Sequence, residues 1–240
     1  MRIMIINPDW NVGESRMKWE LEQLSAYVGA ETELCMECLS ETKVYLDSPA
    51  DAVLAGPEIL SMAVKAEREG FDAILLYCFS DPALNACRQV VEIPVVGAGQ
   101  TACLTIPQVG YHGTVLLADG GRVPEKLAAV HETGLQPERI LGFEGIDLEG
   151  LDCVRDREEV LERLTEAGRR ALERTPSQAL VLGCLSFLGM ARELEERLKV
   201  PVIDPAALGA AQAELMARIG LKSSRRAYPK RKDADFSAEK

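Results

Sequence analysis

Short apolar runs recur along the chain, and each one is bounded by residues that are typical of turns. An unbroken apolar run of this length predicts a strand that is buried on both faces of a parallel sheet. Stretches with apolar residues at helical spacing lie between the runs and predict helices, so the order of elements indicates an α/β fold. The predicted strands are residues 2–6, 32–37, 71–79, 93–96, 114–118, 139–143, 179–184 and 201–203.

Residues with known capping preferences mark the ends of several predicted helices. The helix 50–69 is predicted to end at Gly70, since glycine suits the left-handed position after a helix. Asp and Ser favour the N-cap, and Pro favours the first helical position. Three helix starts are predicted on this basis, at Asp81-Pro82, at Ser186 (a helix to residue 198) and at Asp204-Pro205 (a helix to residue 219). The other predicted helices are 14–27, 123–132 and 157–173.

Two of the predicted strands carry the same pattern: four apolar residues, a variable residue, Cys, an apolar residue and Ser. The copies read AILLYCFS at 73–80 and ALVLGCLS at 179–186. Further pairs are IPVV at 93–96 with VPVI at 200–203, and the run 3–6 with 114–117. We therefore predict two copies of one α/β unit, with Cys78 and Cys184 at equivalent strand ends. Ligands bind at the carboxyl ends of strands in open α/β sheets.

The duplication predicts two pseudo-symmetric lobes, each a parallel sheet flanked by helices. The first lobe is expected to contain residues 1–97 plus 205–221, and the second residues 98–204. The remaining tail, 222–240, is rich in basic residues and lacks apolar periodicity, so we predict that it is disordered.

Composition restricts the partners of the protein. The chain has 240 residues, of which 47% are hydrophobic and 27% charged, as is usual for globular proteins. Its net charge of −11 argues against nucleic acid, because phosphate binding needs a basic surface. No apolar run approaches the roughly 20 residues of a membrane-spanning helix, and the N-terminal run is too short for a signal peptide. We expect a cytoplasmic protein with no membrane partner.

The chain contains seven cysteines, an odd number that favours free thiols in a protein without a secretory signal. Cys35 and Cys38 have CxxC spacing, but no second CxxC exists, and the two histidines, His112 and His131, lie far along the chain. A metal or redox centre is therefore not favoured. Three other cysteines, at positions 87, 103 and 153, are interpreted as small buried hydrophobic residues.

A glycine motif at 97–102, GAGQTA, offers a different function. It fits G-x-G-x-x-G/A directly after a strand, and Asp119 ends the next strand about where a ribose-binding acid belongs, as in a nicotinamide-dependent oxidoreductase. The motif lies in mid-chain, however, its third glycine is replaced by Ala102, and Pro107 should interrupt the helix that follows. A glycine turn for tight packing is the simpler interpretation.

Two thiols at matched strand ends suit proton transfer at a carbon atom. Racemisation needs a base on one face of the carbon and an acid on the other, and these roles exchange with the direction of reaction. The helix predicted to start at Asp81 would place its positive end beside Cys78, which favours the thiolate.

The motifs around both cysteines resemble the aspartate/glutamate/hydantoin racemase superfamily, most closely its hydantoin racemase branch. The matching segments are CFSDPAL at 78–84, IPVVGAG at 93–99, Asn7-Pro8 and LGC at 182–184. The resemblance implies two α/β lobes, no cofactor, and a small-molecule substrate in the cleft between them. It also implies that Cys78 and Cys184 are the catalytic acid and base. We further expect a homo-oligomer.

The resemblance also implies which residues bind the substrate. These are Asn7, Phe79, Ser80, Asp81, Leu185 and Ser186. Asp119 is a further candidate, at a strand end where the family is expected to carry hydroxyl groups. Asp9 and Asp119 would repel a dicarboxylate, so a neutral hydantoin or another amino-acid derivative is favoured over aspartate or glutamate. The alternative role for these two acids is to form turns or to cap helices. Alternatives within the superfamily are a maleate-isomerase-like or an arylmalonate-decarboxylase-like enzyme, and a non-catalytic ligand sensor is a further one.

Overall fold

The computed structural model describes residues 1–123, 126, 129–130, 137–148 and 150–230. The chain divides into two compact units. The first unit contains residues 1–98 and the chain from Gly209 onwards, and the second contains residues 99–208. Among the described residues, no helix has both the length and the apolar character needed to cross a membrane.

The first unit is built on one parallel sheet of four strands. They are β1 (Arg2–Trp10), β2 (Glu33–Leu39), β3 (Ala73–Leu76) and β4 (Val95–Gly97), in the order β2-β1-β3-β4. Successive side chains of a strand point to opposite faces. Met4 and Ile6 of β1 therefore pack into one core with Ile59, whereas Ile3 and Ile5 are fully buried on the other face. Burial of both faces explains why the strands read as unbroken apolar runs.

The second unit repeats this sheet. Its strands are β5 (Gly113–Leu117), β6 (Ile140–Gly145), β7 (Ala179–Leu182) and β8 (Val202–Ile203), in the order β6-β5-β7-β8, and all are parallel. Leu116, Leu180 and Leu182 form a core with Val160 and Leu164. The predicted pair of parallel sheets flanked by helices is confirmed.

Most helices lie where they were predicted. Those described are α1 (Glu14–Leu24), α2 (Pro49–Arg68), α3 (Leu84–Val90), α4 (Ala98–Val109), α5 (Arg157–Arg174), α6 (Ala191–Leu198) and α7 (Pro205–Arg218). Ser48 caps α2 by accepting the N–H of Asp51, and Gly70 after its end has a φ of 78°. The prediction of a helix at 123–132 falls largely outside the described residues.

Strand register assigns equivalent residues to the two units. Ile6 pairs with Leu76, and Leu116 pairs with Leu182. Ile6 therefore corresponds to Leu116, so the match of run 3–6 with run 114–117 was wrong by one residue. Asp9 and Asp119 each follow the matched pair Ile6 and Leu116 by three residues.

Three elements differ from their predicted form. Strand β1 continues to Trp10 with irregular pairing after Asn7, where a loop was expected. Helix α4 contains Pro107 and continues past it to Val109, so the missing N–H of this proline costs one i−4 bond without ending the helix there. In the tail, Arg225 donates to the carbonyl of Arg88 (3.1 Å) and to the carboxylate of Glu92 (3.0 Å), so residues 222–230 differ from the predicted disorder. Residues 231–240 lie outside the description.

Candidate active site

Cys78 is the second residue after β3. The ladder between β1 and β3 continues by one bond, in which the N–H of Tyr77 donates to the carbonyl of Ile6 (2.8 Å). Cys78 therefore stands directly beyond the sheet, at the edge where Asn7 extends β1. The residue is half-buried, and its inner side packs against the core of the first unit.

Cys184 occupies the same place in the second unit. The N–H of Gly183 donates to the carbonyl of Leu116 (2.7 Å), which repeats the bond made by Tyr77. Cys184 is half-buried and packs against the core of its own unit. Residue 183 has no room for a side chain, since a Cβ would lie 2.5 Å from Leu117 Cδ2 and 2.9 Å from the Leu116 carbonyl. The glycine is required for β7 to lie this close to β5.

The loop after Cys78 is a tight turn, and the helix starts later than predicted. The N–H of Asp81 donates to the carbonyl of Cys78 (3.1 Å), and both Asp81 and Ala83 have positive φ, 48° and 59°. Helix α3 begins only at Leu84, so the prediction of Asp81 as N-cap with Pro82 at the first helical position was wrong. The left-handed residue Ala83 separates the turn from the helix.

The loop after Cys184 is also a turn rather than a helix start. The N–H of Phe187 donates to the carbonyl of Cys184 (3.2 Å), which closes a 3₁₀ turn over Leu185–Phe187. Gly189 follows with a φ of 80°, and α6 begins at Ala191. The prediction that Ser186 caps this helix was therefore wrong, because a left-handed residue again intervenes.

Of the predicted substrate-binding residues, Phe79 and Leu185 are buried, whereas Ser80 and Ser186 are half-buried. Phe79 and Leu185 each follow a cysteine by one residue, and Ser80 and Ser186 each follow it by two. Asp81 is buried, and its carboxylate lies against Gly97, since a Cβ on that glycine would be 2.5 Å from Asp81 Cγ.

Asn7 is 6% exposed and accepts the N–H of Asp9 on its Oδ1 (3.2 Å). Asp9 in turn accepts the N–H of Leu46 (2.9 Å), so it fixes the loop before α2. Asp119 is exposed and accepts the N–H of Gly121 (2.8 Å) in a turn. Asp119 thus forms a turn after β5, whereas Asp9 lies within β1 and anchors the loop before α2.

Among the buried carboxylates, Asp204 and Glu20 were not recognised as functional candidates from the sequence. Asp204 is buried after β8 and accepts three backbone N–H groups; burial raises its pKa although these donors favour the charged form. Glu20 accepts the Arg16 guanidinium on Oε1 (2.8 Å), while its Oε2 is buried without a donor among the described residues. Burial raises the pKa of Glu20, Arg16 opposes this shift, and the charge of Asp9 adds to it. The Asp-Pro pair predicted a helix start at Asp204, but no local signal in the sequence indicated its hydrogen bond with the N–H of Gly189.

The CxxC cysteines do not form a site with other ligands. Both lie on β2, and burial together with the neighbouring Glu33 raises the pKa of Cys35, which disfavours the thiolate. Within the described part of the chain, no group of three His, Cys, Asp or Glu side chains is placed to hold a metal ion. The cysteines at 87, 103 and 153 are buried as predicted, and burial raises the pKa of Cys87 to about 12.

The glycine motif does not form a dinucleotide-binding loop. Strand β4 ends at Gly97 and α4 begins at Ala98, so no loop remains between them to hold a pyrophosphate. The carboxylate of Asp81 also lies against Gly97, where it would repel a phosphate. The interpretation as a tight packing turn agrees with this geometry.

A groove of about 650 Å³ lies on the first unit, between β2 and α2. Its lining includes Glu58 and Lys65 but neither Cys78 nor Cys184. Glu58 accepts backbone N–H groups of residues 40–42, and Lys65 pairs with Glu37 (2.8 Å), so these polar groups serve the local structure.

Comparison with known proteins gives consistent matches over nearly the whole chain. The sequence model of the family described as Asp/Glu/Hydantoin racemase matches residues 3–213. A hydantoin racemase of Pseudomonas sp. (strain NS671) is 28% identical over 236 residues, which cover 97% of this chain and 94% of that protein.

Two solved structures show the same fold. The allantoin racemase of Klebsiella pneumoniae has a TM-score of 0.87 at 24% identity and covers 98% of this chain and 96% of its own. The allantoin racemase of Pseudomonas fluorescens has a TM-score of 0.89 at 21% identity and covers 98% of this chain and 99% of its own.

Proposed function

This chain belongs to the Asp/Glu/hydantoin racemase family and is an isomerase of the racemase type, and we propose that it inverts the α-carbon of a hydantoin- or amino-acid-type substrate without a cofactor. Cys78 and Cys184 are proposed as the acid/base pair. The observation that carries this proposal is their equivalence. Each thiol stands at the same point beyond the third strand of its sheet, after the same backbone bond to the neighbouring strand.

In the proposed reaction one cysteine, as thiolate, removes the α-proton, so that its S–H bond forms as the C–H bond breaks. The electron pair moves into the adjacent carbonyl and gives a planar, enolate-like anion. The other cysteine, as thiol, then donates its proton to the opposite face. The two sulfur atoms exchange protonation states, and the reverse reaction exchanges their roles. The mechanism requires both thiols to reach one substrate carbon.

The anion would be stabilised by donors that already stand beside the thiols. The Oδ1 of Asn7 accepts a backbone N–H, which leaves its side-chain N–H groups to donate to a substrate oxygen. Ser80 and Ser186 are half-buried and supply hydroxyl groups at matched positions. The backbone N–H groups after each cysteine complete the proposed set, with Phe79 and Leu185 as apolar walls.

Charge at the strand ends supports a neutral substrate. Asp9 and Asp119 each lie three residues beyond the matched strand residues Ile6 and Leu116, and they would repel a second carboxylate on the substrate. A hydantoin ring carries no such charge, and its ring carbonyl acidifies the neighbouring C–H. The names of the relatives, hydantoin racemase and allantoin racemase, agree with this choice.

The test uses single enantiomers of 5-substituted hydantoins, allantoin and amino acids in deuterated water. Loss of optical rotation measures inversion, and NMR measures deuterium at the α-carbon. Cys78→Ser and Cys184→Ser should each lower inversion by at least about 100-fold, because a serine hydroxyl is far too weak an acid and base. Cys35→Ser is the control, since this thiol lies on β2 away from the strand ends, and it should retain activity.

Inversion that survives either substitution would refute the two-cysteine assignment. A covalent adduct seen by mass spectrometry would instead indicate a maleate-isomerase-like reaction. Activity that needs one thiol and releases carbon dioxide would indicate an arylmalonate-decarboxylase-like reaction. Binding that raises the melting temperature without turnover would indicate a ligand sensor.

A further inference from the structure

A buried carboxylate lies behind each cysteine loop, at the end of the neighbouring strand. In the second unit this group is Asp204, which directly follows β8. Its Oδ2 accepts the N–H of Gly189 (2.9 Å), in the loop after Cys184. Its Oδ1 accepts the N–H groups of Ala206 (3.0 Å) and Ala207 (3.3 Å), in the first turn of α7. One side chain thus joins the cysteine loop to a helix N-terminus.

In the first unit the position equivalent to Asp204 is occupied by Gly97. Leu75 pairs with Val96 as Val181 pairs with Ile203. The next pair in the first unit is Leu76 with Gly97, and continuing the β7–β8 register by one residue places Asp204 opposite Leu182. A Cβ on Gly97 would lie 2.5–2.7 Å from the three carboxyl atoms of Asp81. The carboxylate of Asp81 therefore fills the space into which the side chain of Asp204 projects in the second unit.

The two carboxylates reach this common place from opposite directions. Asp81 belongs to the cysteine loop and contacts the neighbouring strand end, whereas Asp204 belongs to the strand end and contacts the cysteine loop. Asp81 is 6% exposed and Asp204 is 9% exposed, so both charges are removed from water. Burial of a carboxylate is costly unless hydrogen-bond donors compensate for its desolvation. Because these donors surround the carboxylate, they also fix its position.

We propose that Asp81 and Asp204 are positioning residues, each of which holds the loop of one catalytic cysteine in place. This inference rests on the proposed function. Each loop contains residues with positive φ, namely Asp81 and Ala83 in one and Gly189 in the other, so its path depends on such anchoring contacts. A displacement of about 1 Å at a reacting group can cost about 100-fold in rate.

The proposal predicts that damage to one cysteine loop changes hydrogen exchange differently in the two enantiomers of the substrate. If each cysteine takes the proton from one enantiomer only, damage to one cysteine's loop hinders deprotonation of one enantiomer. It also hinders the return of a proton to that same face after the other cysteine has deprotonated the opposite enantiomer. Inversion falls equally in both directions, because the equilibrium constant of racemisation is one. The intact cysteine can still exchange its proton with deuterated water and return deuterium to the face that it serves. Exchange with retention therefore persists for one enantiomer.

The experiment measures inversion and exchange with retention for both enantiomers in deuterated water. Asp204→Asn should lower inversion about 10- to 100-fold. Exchange with retention should persist in the same enantiomer in which it persists for Cys184→Ser. Asp81→Asn should leave exchange in the opposite enantiomer, as Cys78→Ser does. Asp51→Asn, a change at the capped start of α2, is the control and should alter the melting temperature without affecting this pattern.

Two milder variants keep the test valid if the Asn variants fold poorly. Asp204→Ser retains an acceptor for the first turn of α7 but lacks the second oxygen that reaches Gly189. Gly97→Ala keeps Asp81 but displaces its carboxylate. Each should give the same one-sided exchange as the Asn variant of its unit.

The outcomes separate this inference from the proposed function. If the cysteine variants lose inversion but the aspartate variants lose activity only in proportion to their folded fraction, or retain exchange in both enantiomers alike, the positioning role is refuted. If the cysteine variants retain inversion, the proposed function itself is refuted.

Discussion

The loops that follow the two cysteines begin at the same point of the fold and then take different paths. Tyr77 precedes Cys78, whereas Gly183 precedes Cys184, yet both donate the same backbone hydrogen bond. The first loop turns through two non-glycine residues with positive φ, and the second through Gly189. Strand register therefore sets where each cysteine stands, while the loop after it is shaped by local contacts.

The difference extends to the space around the strand ends. Residue 77 has room for a tyrosine that is 4% exposed, whereas residue 183 has no room even for a Cβ. The duplicated units thus preserve the strand geometry up to each cysteine and differ in side-chain packing and in the loops that follow. The proposed reaction requires only that the strands place the two sulfur atoms equivalently, since proton transfer depends on the positions of the sulfur atoms.

The largest expected effect tests the chemical equivalence of the two units. Cys78→Ser and Cys184→Ser should each reduce inversion by a similar factor of at least about 100, because either thiol alone serves only one face of the carbon. Polarimetry with each enantiomer measures this loss. A large loss for one variant and near-normal inversion for the other would break the comparison and favour a one-cysteine mechanism.

Gly183→Ala should reveal the difference in packing. The added Cβ would lie 2.9 Å from the Leu116 carbonyl and 2.7 Å from Val115 Cγ1, so the strand must shift, at a cost of about 1–3 kcal/mol in the free energy of unfolding. Urea denaturation measures this cost, and inversion should fall as Cys184 is displaced. Gly142→Ala is the matched control in β6, where the nearest atom lies 3.8 Å away. Equal stability of both variants would contradict the packing argument.

A contact of the first unit with its C-terminal segment gives a smaller effect. Arg225 donates to the carbonyls of Arg88 and Val91, at the end of α3, and pairs with Glu92. Arg225→Ala should lower the free energy of unfolding by about 1–2 kcal/mol, because the last carbonyls of the helix lose their donor. Denaturation followed by circular dichroism measures the change. Arg226→Ala, at an exposed neighbour, should have little effect, and an equal loss in both would contradict this role.

The smallest expected effect concerns pH. The folded-state pKa of Glu20 is raised above the ordinary 4.5, so the stability that its protonated form contributes is complete below that pH and is lost as pH rises through the folded value. Glu20→Gln should therefore lose less stability than the parent between pH 4.5 and pH 8. Urea midpoints across this range measure the slope, and Glu22→Gln, an exposed position on the same helix, is the control. Parallel slopes in parent and Glu20→Gln would refute the assignment.

Several features were predictable from the sequence because they depend on short-range rules. Unbroken apolar runs predicted the buried parallel strands, and the repeated Cys pattern predicted the duplication. Gly70 predicted a helix end, and Asp204 with Pro205 predicted a helix start. The helix starts predicted at Asp81 and Ser186 were wrong, because capping preference does not report the left-handed residues that follow, Ala83 and Gly189.

The amino-acid sequence alone was sufficient to indicate the two sheets, the placement of both cysteines at strand ends and the family. These depend on periodicity and on patterns within a few residues. The one-residue register between the units, the contact of Asp81 with Gly97 and the hydrogen bond that the Gly189 N–H donates to Asp204 became evident only in the folded protein. The register pairs strands that are far apart in the chain, and the two aspartate contacts join segments about fifteen residues apart that meet because neighbouring strands pair. Side-chain packing between such segments leaves no local signal in the sequence.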